Sequence, residues 1–173
     1  MRIREADVND AAAIARVHVD SWRTTYTGIL PDEHLARLSY DGRERVWRDI
    51  LNKSESGEFV YIVEDGKREV VGFASGGPER SGDSLYRGEL YAVYLLKDFQ
   101  RRGAGRQLAL ASARKLLEAG QESMLVWVLA KNPSRGFYEA LGGELLSVKP
   151  IKVGEAALLE VAYGWRDLKT LAG

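Results

Sequence analysis

Gln100-Arg101-Arg102-Gly103-Ala104-Gly105 is the stretch whose residue types point most directly to chemistry. Gly103 and Gly105 let the backbone come close to a ligand, and Arg101, Arg102 and Arg106 surround them with positive charge. A helix that begins at such a turn has several amides without helical partners, at the positive end of its macrodipole, so phosphate oxygens can bind there. A pyrophosphate would fit. The same short pattern also describes a tight strand-to-helix turn with a solvated basic face, and spacing alone does not separate the two.

The turn needs a strand before it and a helix after it, and both are legible. Leu90-Tyr91-Ala92-Val93-Tyr94-Leu95-Leu96 is a continuous apolar run rich in aromatic and branched residues, which reads as a strand buried on both faces and entered at Glu89. Beyond the turn the period becomes helical. Ala109, Ala113, Leu116 and Leu117 share one arc, with Gln107, Arg114, Glu118 and Gln121 opposite, so an amphipathic helix packs on the sheet. The turn is not a Walker A loop, since no Gly-Lys-Ser/Thr follows, and it lacks the three glycines of the dinucleotide fingerprint.

What the stretch resembles is the Gln/Arg-x-x-Gly-x-Gly/Ala signature of the GCN5-related N-acetyltransferases, preceded by that family's fourth strand. A second motif of the family, a strand, an Asn and a helix bearing a Tyr, resembles Trp127-Val128-Leu129-Ala130-Lys131-Asn132-Pro133 followed by Phe137-Tyr138-Glu139-Ala140-Leu141-Gly142. The element order fits over essentially the whole chain. Two positions depart from the pattern: Lys97 stands where many members have Pro, and Gln100 opens the signature where Arg is commoner.

The resemblance implies an α/β fold with a mixed, mostly antiparallel sheet, helices on both faces, and a fourth strand that bulges and splays from the fifth. It implies acetyl-CoA as co-substrate, no metal, and direct attack by an amine without a covalent acyl-enzyme. Backbone groups at Val93, Tyr94 and Leu95 would meet the acetyl carbonyl and pantetheine amides, and the turn from Gln100 through Arg101, Arg102, Gly103, Ala104 and Gly105 to Arg106 would hold the pyrophosphate. Asn132 would contact the pantetheine arm. The pair Asn132-Pro133 also explains itself as a helix cap and first helical residue.

Tyr138 is the implied acid for the leaving thiolate: a phenol titrates near ~10 and a thiol near ~8.5, so donation is modestly uphill unless the thiolate is desolvated. The alternative for Tyr138 is an ordinary aromatic on a core helix. Glu89 is the candidate base, directly or through water, because an ammonium with a pKa near ~10.4 must lose a proton before attack. A rim carboxylate that attracts a cationic substrate is the alternative for Glu89. Trp22 and Tyr26 lie where the family places its acceptor-binding wall, and either could instead anchor the first helix to the core.

Composition bounds the rest. At 173 residues the chain is expected to be one domain, residues 1–173, with a sufficient core of its own. It has no Cys, which excludes a disulfide framework, thiolate metal sites and a catalytic thiol, and suits a reducing cytoplasm. Its 25 basic and 25 acidic residues cancel, so no global field draws it to nucleic acid or membrane. The charged start Met1-Arg2-Ile3-Arg4-Glu5 does not read as a signal peptide, and no apolar run is long enough to span a bilayer.

In chain order, residues 2 to 6 read as a strand, and Asp7 or Asn9 caps a helix carrying Ala11, Ile14, Ala15, His18 and Trp22 on one face, with His18 a core or boundary residue. Gly28 and Pro31 end it, and Asp32 is expected to cap a second helix. A third, Asp41 to Asn52, turns Val46, Trp47, Ile50 and Leu51 inward. Phe59 to Glu64 and Val70 to Ala74 form a hairpin through Asp65-Gly66, Gly76-Gly77-Pro78 opens a surface loop, and Met124 to Leu129 is an interior strand. Gly142-Gly143 stops a helix, Lys149 to Val153 and Ala157 to Trp165 make a terminal hairpin, and the last residues fray. An exposed terminal strand leaves a homodimer open. The acceptor is expected to be a small-molecule amine, with a protein Lys or N-terminal amine as one alternative and a non-catalytic acyl-CoA sensor as another.

Overall fold

The computed structural model describes residues 1–53 and 57–173. Seven strands, β1 (Arg2–Glu5), β2 (Phe59–Glu64), β3 (Val70–Pro78), β4 (Gly88–Leu95), β5 (Met124–Leu129), β6 (Glu144–Val153) and β7 (Ala156–Trp165), form one sheet in the order β1-β2-β3-β4-β5-β7-β6. Every neighbouring pair is antiparallel except β4 and β5. The helices are α1 (Ala11–Tyr26), α2 (Asp32–Ala36), α3 (Tyr40–Asn52), α4 (Ala104–Glu118), α5 (Arg135–Ala140) and α6 (Leu168–Ala172). The mixed, mostly antiparallel α/β architecture implied by the resemblance is present.

Helices cover both faces because the strands between them are apolar on both. On one face Leu108, Ala113 and Leu116 of α4 and Leu168 and Leu171 of α6 pack with Leu90, Val126 and Val128 of the sheet. On the other, Ala11, Ile14, Ala15 and Val17 of α1 and Trp47 of α3 pack with Val60, Ile62 and Phe73. A third cluster, Val19, Tyr26, Leu30, Leu35 and Leu38, joins α1 to α2 and meets Val153 and Leu158 of the terminal hairpin. Asp7 opens a 3-10 turn ahead of α1 in a capping box with Asp10, as one of the two anticipated caps. Among the described residues no helix is long and apolar enough to cross a membrane.

Several expectations need correction, each for a packing reason. Gly76, Gly77 and Pro78 belong to β3. A Cβ on Gly76 would lie 2.6 Å from Phe59 and 2.7 Å from the Glu89 carbonyl, so these glycines mark close approach and not a loop. The β2–β3 turn closes with the positive φ at Arg68 (65°) and not at Gly66, while the Asp65 carboxylate accepts from the amides of Lys67 and Glu69. Asp32 is the first residue of α2, the N-cap is Pro31, and no side chain caps it. Val46 is 45% exposed, and the core side of α3 is filled by buried Trp47 with half-buried Ile50 and Leu51. The terminal hairpin begins at Glu144, and the last residues form α6, whose Leu168 and Leu171 are buried, instead of fraying. The outer edge of β6 is the free edge of the sheet on that side.

Candidate functional site

The site begins where β4 changes partners. Leu90 pairs with Gly76 and Ala92 with Ser75, so Tyr91 is an extra residue and β4 bulges there. On its other side β4 pairs with β5 only at Gly88↔Met124 and Glu89↔Leu125. Beyond that point β5 keeps its ladder with β7, through Leu129↔Glu160, and β4 keeps its ladder with β3, through Leu95↔Gly72. A gap opens between two strands that are each held firmly from outside. Val93, Tyr94 and Leu95 therefore present one backbone edge to no strand.

At the far end of β4 the chain turns through Gln100 to Arg106 into α4. The Gln100 side chain donates to the Leu95 carbonyl (3.1 Å) and pins the turn to the strand. Arg101 and Gly103 both have left-handed backbone (φ 57° and 84°), an arrangement that turns successive amides toward one concavity. A Cβ at Gly103 would meet nothing within 4 Å, so that side of the turn is open space. Gly103 is the N-cap of α4 and no side chain caps the helix, so the amides of Ala104, Gly105 and Arg106 keep no intrahelical acceptor. A Cβ on Gly105 would be 3.2 Å from the Phe137 ring, which places this amide under α5. Among the described residues Arg101, Arg102 and Arg106 make no ion pair.

Asn132 is 7% exposed and lies where β5 ends. Its Oδ1 accepts from the Ser134 amide (2.8 Å), which fixes the orientation of the amide group and turns Nδ2 to the Tyr26 hydroxyl (3.3 Å). The helix itself opens later, at Arg135, so Asn132-Pro133 starts a turn ahead of α5. Tyr26, from the last turn of α1, also meets the Tyr94 hydroxyl at 3.3 Å. Asn132, Tyr26 and Tyr94 thus form one hydrogen-bonded chain between the end of β5, the end of α1 and β4. Trp22 packs on Tyr26 (ring centroids 5.1 Å) and beside Tyr94 (6.3 Å). The structure brings Trp22, Tyr26, Tyr94 and Asn132 together.

Tyr138 comes to the gap from the opposite face, on α5, stacked on Tyr163 (6.1 Å) and edge-on to Phe137 (5.1 Å). Burial, and then the nearby Tyr26 phenol, push its pKa above the ordinary phenol range. Burial also raises Tyr94 and Tyr26, whose mutual hydrogen bond raises Tyr94 further and partly relieves Tyr26. All three phenols are proton donors at neutral pH, and none is a base.

Glu89 lies at the closed end of the gap, apart from this group, and is 4% exposed. Arg80 occupies both its oxygens: Nη2 donates to Oε1 (2.7 Å), Nε to Oε2 (3.2 Å) and the backbone amide to Oε2 (3.0 Å). The guanidinium also lies 3.6 Å from the centre of the Tyr91 ring, over the bulge. Arg80 has no sequence signature, because it sits in a polar loop nine residues before its partner.

His18 is a second residue whose surroundings sequence could not supply. It is 8% exposed, stacks on Tyr94 (5.5 Å), and accepts the Trp47 indole N–H at Nδ1 (3.1 Å). That bond leaves the proton on Nε2, which has no hydrogen-bond partner among the described residues. Burial, and then the Arg43 charge, lower its pKa to about 3, so the imidazole is neutral.

This geometry has relatives. The sequence model of the FR47-like protein family matches residues 80–150, which hold Arg80, the gap, the glycine turn, Asn132 and Tyr138. The uncharacterized N-acetyltransferase YuaI of Bacillus subtilis is 46% identical over 169 residues, covering 98% of this chain and 95% of that one. The PaiA N-acetyltransferase of Thermoplasma acidophilum, solved with coenzyme A, superposes with a TM-score of 0.73 at 18% identity, over 92% of this chain and 96% of its own. The yncA protein of Salmonella typhimurium, solved with its cofactor acetyl-CoA, does so with a TM-score of 0.69 at 25% identity, over 97% and 94%. With a strand pair that parts beyond Glu89, an uncapped helix start beside it, and 46% identity over nearly its full length to an N-acetyltransferase, the chain belongs to the GCN5-related N-acetyltransferase family.

Proposed function

We propose that this enzyme moves the acetyl group of acetyl-CoA to the amine of a small molecule by direct attack, without an acyl-enzyme. The observation that carries the reading is the gap between β4 and β5 continued by the uncapped start of α4. Acetyl-CoA supplies the activated thioester; the chain's own residues must bind it, orient it and manage two protons. The fit is good, since an extended, amide-bearing arm matches an unpaired strand edge, and a pyrophosphate matches a concave turn of free amides beside three arginines.

The backbone of Val93, Tyr94 and Leu95 is assigned to the pantetheine arm and acetyl carbonyl, and Gln100 through Arg106 to the pyrophosphate. Asn132 holds the arm from the β5 side. Tyr138 is assigned to protonate the leaving thiolate. Burial keeps the phenol protonated at neutral pH but makes it a weaker acid, so the transfer requires the thiolate to be desolvated in the same gap as the carbon–sulfur bond breaks. Trp22 and Tyr26 bound the acceptor. Glu89 can serve as base only after Arg80 yields one carboxylate oxygen, so the clamp favours ordered water as the first proton acceptor and Glu89 as the residue that holds the β3–β4 loop. A pH profile of kcat/KM for Glu89→Gln separates the two: a base removes its acidic limb, a positioning residue leaves the limb in place.

The test is release of free coenzyme A thiol from acetyl-CoA against polyamines, amino acids, amino sugars, aminoglycosides and Lys-containing peptides. Turnover with one class of small amine is the expected result. Turnover confined to peptides would move the acceptor to a protein amine, and acetyl-CoA binding with no turnover on any amine would favour a sensor of the cofactor.

A further inference from the structure

We infer that the acceptor is a small amine with an apolar body and a carboxylate, an apolar α-amino acid in its simplest form, and that Lys131 recognises the carboxylate. This rests on the acetyltransferase reading and gives it a substrate class. A cleft of about 320 Å³ opens among Ile29, Leu129, Pro150, Leu158 and Leu159, with Lys131 its one charged lining residue. Its walls are the segments that build the site. Ile29 follows Tyr26 by three residues and its amide bonds back to the Tyr26 carbonyl (2.9 Å), while Leu129 to Lys131 run directly into Asn132. A molecule seated here lies beside the two segments that carry Tyr26 and Asn132 into their hydrogen bond.

The walls select an apolar body, because polar groups placed there would lose water without gaining partners. The volume is at the low end for ligand sites, which run from about 300 to 1,000 Å³, and suits a molecule of amino-acid size. Charge decides the rest. Of the acidic groups on the flanking segments, Glu160 pairs with Lys149 (3.2 Å) and Glu155 with Lys152 (3.7 Å), and neither Asp32 nor Glu33 of α2 lines the cleft. Lys131 makes no ion pair among the described residues. A lone cation at an apolar cleft attracts a monoanion and repels a polyamine.

The experiment measures thiol release with leucine, methionine and phenylalanine, their amides, spermidine and a Lys-containing peptide. Calorimetry of each acid on the protein loaded with coenzyme A supplies a readout that does not depend on turnover. The acids should exceed their amides by about tenfold in kcat/KM, as one charge-assisted contact allows. Lys131→Ala should remove that preference by raising KM for the acids, with kcat and the amides unchanged, and Lys131→Arg should restore it. Best turnover of spermidine or the peptide, amides equal to acids, or an unmoved KM in Lys131→Ala would overturn the inference. So would silence of every acid while acetyl-CoA binds. Failure of acetyl-CoA itself to bind would instead remove the transferase reading.

Discussion

The two faces of β4 divide the work of the site differently. Toward α4, Val93 and Leu95 pack into the core, and what the strand offers a ligand is backbone. Toward α1, Ala92 and Tyr94 pack against α1 and α3, and what it offers is a side chain, the Tyr94 phenol in its chain with Tyr26 and Asn132. Backbone recognition reads the shape common to every acyl-CoA, and tolerates exchange of the side chains above it. Side-chain recognition reads one acceptor and does not. On the proposed assignment the cofactor half of such an enzyme is therefore generic, and the acceptor half is particular.

Substitutions on the two sides should separate cofactor affinity from turnover. Gly105→Glu is the strongest break. It puts bulk 3.2 Å from Phe137 and a negative charge at the amides assigned to pyrophosphate, so calorimetry should show acetyl-CoA affinity falling by at least about 10³-fold, with a melting curve to confirm the fold. Unchanged affinity would take the turn out of the site. Tyr138→Phe should lower kcat about 10²-fold with little change in acetyl-CoA affinity, since a general acid acts in the transition state. If affinity and turnover fall together, Tyr138 is a packing residue.

The α1 face should also respond to pH through His18. Folded His18 takes a proton only near pH 3, whereas the unfolded side chain takes one near 6.5. Between those values the unfolded state binds more protons, so stability is fully present above about 6.5 and falls as pH drops toward 3, by an amount on the order of 1–4 kcal/mol. Urea melts at several pH values check it, and His18→Phe should flatten the slope in that window. An unchanged slope would assign acid sensitivity to carboxylates instead.

Tyr26→Phe should have the smallest effect. It leaves the ring in its cluster and removes both neutral hydrogen bonds of the chain, so kcat/KM should drop about 30-fold, in line with about 1 kcal/mol for each of the two bonds, while acetyl-CoA affinity holds. A fall in acetyl-CoA affinity would show that the Asn132 orientation depends on Tyr26, and would join the two halves.

Most of the frame was legible because it follows local rules. The apolar run before Gln100, the helical period after Gly103, and the bounds of β2 and β5 depend on neighbours in the chain. The misreadings share one cause. Gly76 and Gly77 look like loop residues until Phe59 and Tyr91 are known to lie against them, and the last residues look frayed until Leu168 and Leu171 are found buried beside α4. In both cases a partner distant in sequence overrode the local signal.

The sequence by itself determined the strand, the glycine turn and the helix that follow one another from Glu89 to Leu117, together with the family they resemble, because strand period, turn chemistry and helix period are written in consecutive residues. Only the tertiary structure decided that β4 and β5 part after two residue pairs, that Arg80 holds both oxygens of Glu89, and that Tyr26, Tyr94 and Asn132 share one chain of hydrogen bonds. Those contacts join residues as many as 106 positions apart, and no periodicity spans that distance.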